Sequence, residues 1–127
     1  MDKSETQKPQ VLLAEDNLNN RIVAKAMLIR YNCDVDCVSN GQEAVEAFVR
    51  NRYDLILMDC QMPVMDGYDA TSEIRSLEKD GKRIPILAVT ANAGESESGK
   101  CLGAGMDDYL AKPFQIADLH AKLAQLL

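Results

Sequence analysis

The stretch "DLILMDCQMPVMDG", residues 54–67, drives four apolar residues straight into an acid, Asp59, and then breaks at Pro63 and Gly67. A short apolar run bounded by turn residues is the pattern of a buried strand. Working outward, the same pattern recurs as "VLLA" (11–14), "DVDCV" (34–38), "ILAVT" (86–90) and "YLA" (109–111). Between these runs, apolar residues fall at spacings of three and four over 18–31, 41–50, 68–78, about 95–103 and 115–127, which is helical spacing. Ser39 and Gln42 read as a capping box before the second helix, and Ile116, Leu119, Leu123 and Leu126 mark one face of the last. Strict alternation of strand and helix implies an α/β fold: a doubly wound, five-stranded parallel sheet with five helices, three layers deep.

At 127 residues and 46% hydrophobic, the chain suits one domain with a real core. The polar leader, 1–9, reads as tail or linker and 10–127 as the domain. No output domain follows the last helix, which suggests a stand-alone domain or a piece of a larger protein. A net charge of -6 disfavours direct binding to nucleic acid or to an anionic membrane. Without an apolar run of spanning length or a signal-peptide core, the expected location is cytoplasmic. Cys33, Cys37, Cys60 and Cys101 form no CxxC pair and His120 lies far from them in sequence. They read as small apolar fillers rather than a disulfide framework or zinc site.

In doubly wound sheets, ligands gather beyond the carboxyl ends of the strands. The residues there are Glu15, Asp16 and Asn17, then Asp59 to Gln61, Thr90 to Asn92, and Lys112 with Pro113. Three crowded carboxylates repel one another unless a cation sits among them. An oxygen-only donor set without His or Cys selects Mg²⁺, which takes few protein carboxylates and keeps open positions. A carboxylate can itself be a nucleophile, forming an aspartyl phosphate whose charge the metal and Lys112 neutralise, with Thr90 as the hydroxyl donor in reach.

"LLAEDN", "DLILMDCQMPVMDG", "ILAVTANA" and "YLAKPF", in this order on these strand ends, resemble the receiver domain of two-component response regulators, over about residues 10–127. The "EDNLNN" and "TANA" variants are most similar to receivers of hybrid sensor histidine kinases. The resemblance implies the flavodoxin-like strand order 2-1-3-4-5. It makes Asp59 the phosphoacceptor, Asp16 a direct Mg²⁺ ligand, Glu15 a ligand through water, and the Gln61 backbone carbonyl a third protein oxygen. Lys112 then pairs with Asp59 and later with its phosphoryl group, set by a cis bond to Pro113. Thr90 and Tyr109 form the switch pair, and Gln61 and Asn92 tune dephosphorylation by orienting or obstructing water. The implied partner is a histidine kinase or histidine-containing phosphotransfer protein, and the chain is a phosphoacceptor that assists its own phosphorylation and dephosphorylation rather than an enzyme. If excised from a hybrid protein, its parent is a sensor histidine kinase. The unphosphorylated form is expected to be a monomer.

Other readings compete. An aspartyl-phosphate phosphatase needs a second acid two residues beyond the nucleophile, and Gln61 stands there. A flavin binder needs a neutral phosphate-cradling loop after the first strand, which "AEDNLNN" is not. An unphosphorylated pseudo-receiver acting as a binding module is the alternative, and the full set Asp59, Asp16, Thr90 and Lys112 argues against it. Singly, Glu15 and Asp16 read as helix-capping acids, Thr90 as a strand residue and Lys112 as a solvated charge; convergence on one rim overturns that. Gly67 reads as a backbone necessity at a tight turn.

Two further expectations concern helices. "GESESGKCLGAG" carries four glycines, each costing about 1 kcal/mol relative to alanine in a helix interior, which marks the fourth helix as the weakest. The first helix carries a broad apolar stripe, Val23, Ala24, Met27, Leu28 and Tyr31, and a narrow one, Leu18, Ile22, Ala26 and Ile29. The broad stripe reads as the core face, leaving Leu18 and Ile22 exposed to dock the partner.

Overall fold

The computed structural model describes residues 8–91 and 94–127. Most of the expected tail (1–7) and Asn92 lie outside the described residues. Strands β1 (Gln10–Ala14), β2 (Asp34–Val38), β3 (Leu55–Asp59), β4 (Ile86–Thr90) and β5 (Asp108–Ala111) alternate with helices α1 (Leu18–Arg30), α2 (Gly41–Arg50), α3 (Gly67–Leu77), α4 (Glu95–Ala104) and α5 (Ile116–Leu126). All strand pairs are parallel, in the order β2-β1-β3-β4-β5. The chain is a flavodoxin-like, doubly wound sheet with five helices.

Strand alternation sorts the core into two layers. On one face Leu12, Ala14, Ile56, Met58, Ile86 and Ala88 pack with Ala44, Val45, Ala70, Ile74 and Cys101 of α2, α3 and α4. On the other, Val11, Leu13, Leu55, Leu57, Leu87 and Val89 pack with Ala24, Leu28, Leu119 and Leu123 of α1 and α5. β3 and β4 are buried along their whole length, whereas the edge strand β2 is largely exposed. That edge position corrects one expectation: Cys33, Cys60 and Cys101 are buried, but Cys37 is exposed. Among the described residues, no helix is long and apolar enough to cross a membrane.

Local departures have local causes. The N-cap of α2 is Asn40, whose side chain accepts from the Glu43 N–H at 2.8 Å, while Glu43 accepts from the Ser39 N–H at 2.8 Å. The cap therefore sits one residue later than the Ser39/Gln42 reading, and Glu43 reaches back to the residue before the cap instead of to the cap itself. In α1, Ala24 and Leu28 are buried, yet Val23 is 53% exposed and joins Leu18 (59%) and Ile22 (58%) at the surface. Only two of the four glycines counted against α4 are interior: Gly94 is its N-cap and Gly105 its left-handed C-cap, with φ 106°. Gly67 opens α3 because a Cβ there would stand 2.3 Å from the Asp59 carbonyl oxygen, so close approach rather than turn geometry demands glycine.

Candidate phosphoacceptor site

The register aligns the strand ends: Ala14 lies opposite Met58, and Asp59 opposite Val89. Glu15, Asp59 and Thr90 are therefore carried to one rim by the two most buried strands and their neighbour. Asp59 is the last residue of β3 and only 5% exposed. Its Oδ2 accepts from Lys112 Nζ at 3.0 Å and its Oδ1 from the Gln61 N–H at 3.2 Å. Lys112 also reaches Glu15 Oε1 at 3.1 Å, and Glu15 Oε2 accepts from the Asn17 N–H at 3.1 Å. Asp16 is exposed at the mouth, and carboxylate oxygens of Glu15, Asp16 and Asp59 lie within 4.8 Å of one another.

Backbone bonds hold this rim. The Lys112 N–H donates to the Thr90 carbonyl at 2.7 Å, the Cys60 N–H to the Val89 carbonyl at 2.9 Å, and the Gly67 N–H to the Cys60 carbonyl at 3.0 Å. The Lys112–Pro113 peptide bond is cis. A cavity of about 390 Å³ opens beside Asp59, Glu15 and Lys112, floored by Leu13, Leu57 and Val89.

Electrostatics mark the cluster as unbalanced. Burial, reinforced by the hydrogen bond and charge of Asp59, pushes the Glu15 carboxyl up to about 7. Burial alone would depress the Lys112 ammonium, but its hydrogen bonds and attraction to Asp59 and Glu15 outweigh that and raise it. Three carboxylates face one ammonium, so a divalent cation fits the donor set and the excess charge.

The other expected residues fall around this centre. Thr90 is 3% exposed, and its Oγ1 donates to Glu97 of α4 at 3.3 Å. Tyr109 is half-buried against the α2–α4 core, on the face that Thr90 shares by register. Gln61 is exposed beside Asp59, and Leu18 and Ile22 are exposed on α1. Sequence reading missed Glu97, which also accepts from the Tyr68 hydroxyl, and the contact of Cys60 with Cys101. The i, i+4 spacing of Glu97 and Cys101 was the available signal, masked by the glycines around it.

A sheet of this order with acids and a lysine at its carboxyl rim defines a receiver. The family model for the response regulator receiver domain matches residues 11–124, and the chain belongs to that family. It is a receiver domain of two-component and phosphorelay signalling. It is 47% identical over 116 residues to hybrid signal transduction histidine kinase G of Dictyostelium discoideum, covering 90% of this chain and 3% of that protein. The chain thus spans a small fraction of the curated relatives it matches. Among solved structures, the receiver domain of sensor histidine kinase PA1611 from Pseudomonas aeruginosa PAO1, with magnesium coordinated in its active-site cleft, shares 48% identity at TM-score 0.86, covering 94% of this chain and 98% of that one. The receiver of the Saccharomyces cerevisiae regulator Ssk1, solved with the histidine phosphotransfer protein Ypd1, shares 31% identity at TM-score 0.86, covering 94% and 88%.

Proposed function

We propose that this chain takes a phosphoryl group from a phosphohistidine onto Asp59 and switches conformation in response. The observation that carries this reading is a buried strand-end carboxylate held at 3.0 Å by Lys112 within an acid cluster one cation short of neutrality. An Asp59 oxygen attacks phosphorus; a P–O bond forms as the P–N bond breaks, and the departing imidazole takes up a proton. Lys112 already contacts the nucleophile and follows the charge onto the phosphoryl oxygens. Asp16, Asp59, Glu15 through water and the Gln61 carbonyl would hold Mg²⁺, which supplies charge neutralisation when bound.

Afterwards the Thr90 hydroxyl turns from Glu97 toward the phosphoryl oxygens, and Tyr109 follows into the vacated space, shifting a pre-existing equilibrium. Gln61 and Asn92 carry no group that titrates near neutral pH, so they tune hydrolysis by orienting or obstructing water. Residues 10–127 form the domain, and the likeness to a receiver solved with a phosphotransfer protein supports a four-helix partner docking on Leu18 and Ile22. Intact-mass measurement after incubation with acetyl phosphate tests the reading. One phosphoryl group should add in Mg²⁺, none with chelator and none in Asp59→Asn; labelling in either control overturns it.

A further inference from the structure

Behind the carboxylates, on the opposite face of the sheet, a second cluster brings in two thiols that the phosphoacceptor chemistry leaves idle. Cys60 follows Asp59 and points into the α2–α4 core, where its Sγ lies 3.9 Å from Cys101 Sγ of α4. The two residues are 1% and 0% exposed. Glu97 stands one turn before Cys101 on the same helix face and is half-buried. The two sulfurs and a Glu97 carboxylate oxygen all lie within 4.8 Å of one another.

We propose that Cys60, Glu97 and Cys101 form a zinc site, separate from the oxygen cluster around Asp59. Two thiolates on tetrahedral zinc, each about 2.3 Å from the metal, stand about 3.8 Å apart. The observed 3.9 Å needs almost no adjustment, whereas a disulfide requires about 2.05 Å. Thiolates exclude Mg²⁺ and Ca²⁺, and a carboxylate as the third donor favours zinc over cuprous copper, which prefers soft ligands throughout. One sulfur comes from the sheet, and one sulfur and one oxygen come from α4 at i, i+4, so the ion staples that helix to the phosphoacceptor strand. Three protein donors leave a fourth position for water on the half-buried Glu97 side.

Glu97 also accepts from Thr90 Oγ1 and the Tyr68 hydroxyl, so zinc draws on the carboxylate that holds Thr90. Zinc and phosphorylation therefore bias one another reciprocally, a consequence that rests on the switch role given to Thr90. The site itself does not depend on that role.

Titration of the reduced 127-residue chain with Co²⁺, and with Zn²⁺ against a chromophoric chelator, in excess Mg²⁺ to fill the oxygen cluster, tests the site. One equivalent should bind, with a thiolate-to-cobalt absorption band. Affinity should fall by roughly 100-fold in Cys60→Ser and Cys101→Ser and roughly tenfold in Glu97→Gln, and stay unchanged in Cys37→Ser. The band is read on the natural chain, so a variant that folds poorly does not decide the matter. A natural chain without the band overturns the proposal, as does binding that survives Cys101→Ser, tracks the exposed Cys37, or is lost in Asp16→Asn.

Discussion

Both ends of the sheet carry clustered charge, and they are built in opposite ways. At the amino end, Asp107 Oδ2 accepts from Arg75 at 2.8 Å and from the Ile86 N–H at 2.8 Å, while its Oδ1 accepts from Arg83 at 3.0 Å. Arg75 also holds Glu78 at 2.9 Å and the carbonyls of Gly105 and Ile84. Two guanidinium groups face two carboxylates, and each charge is tied to backbone. At the carboxyl end, one ammonium faces Glu15, Asp16 and Asp59. A balanced cluster fixes the start of β4 and β5; an unbalanced one holds repulsion that a bound cation relieves.

The largest effect that breaks this contrast is on chemistry. Asp59→Asn should abolish labelling by acetyl phosphate, a loss of more than about 100-fold, while Asp107→Asn should leave the labelling rate within about twofold. Radiolabel incorporation at matched fold, judged by circular dichroism, separates them. A labelling loss in Asp107→Asn as deep as in Asp59→Asn would erase the division between the two ends.

Stability should divide the other way. Asp107→Asn strips charge from Arg75 and Arg83 and should lower unfolding free energy by about 2 to 3 kcal/mol. Asp16→Asn at the carboxyl end removes repulsion in an exposed position, and the metal-free protein should be unchanged or slightly more stable. Urea unfolding in chelator reads both. Destabilisation by Asp16→Asn equal to that by Asp107→Asn would mean the acid cluster is structural.

The contrast also shows what the sequence made legible. Asp59, Glu15 and Lys112 each directly follow or end an apolar run, and strand ends in a doubly wound sheet converge by topology, so local pattern located them. The amino-end network was invisible because Arg75, Arg83 and Asp107 meet only through the packing of α3, β4 and β5. Cys60 and Cys101, 41 residues apart, likewise needed the tertiary fold to become neighbours. The exposure of Cys37 follows from β2 being the edge strand, and Val23 lines the cavity beside Asp59 instead of packing in the core. Neither follows from periodicity alone.

A smaller effect sharpens the comparison through pH. A glutamate carboxyl ordinarily titrates near 4.5, and in the fold Glu15 is pushed up to about 7, chiefly by burial and then by Asp59. The folded chain holds this proton more tightly than the unfolded chain, so the stability it contributes is complete below about pH 4.5 and is lost as pH rises through about 7. Melting temperature in chelator should fall more steeply across that window for the natural chain than for Glu15→Gln. Mg²⁺ competes with the proton, so its affinity should rise through the same range. Parallel melting curves for the two proteins would remove Glu15 from the titrating cluster.

The smallest effect lies in α4, the helix adjoining the carboxyl end that carries the Thr90 partner Glu97. Its N-cap, Gly94, offers no side-chain hydrogen bond, and Gly99 and Gly103 sit in its interior, where an added Cβ meets nothing within 4 Å. Alanine therefore fits at both positions without a clash, and each substitution should strengthen the helix by up to about 1 kcal/mol. Neither residue touches either charged cluster. Hydrogen exchange over 94–105 should slow in Gly99→Ala with Gly103→Ala, while exchange at Ile86 and Asp108, beside the amino-end network, stays the same. If α4 is the element that moves with Thr90, the same pair should also shrink the exchange change that phosphorylation produces there, because the stiffened helix holds Glu97 in place. Slowed exchange with an undiminished phosphorylation response would place the moving part elsewhere on the carboxyl rim.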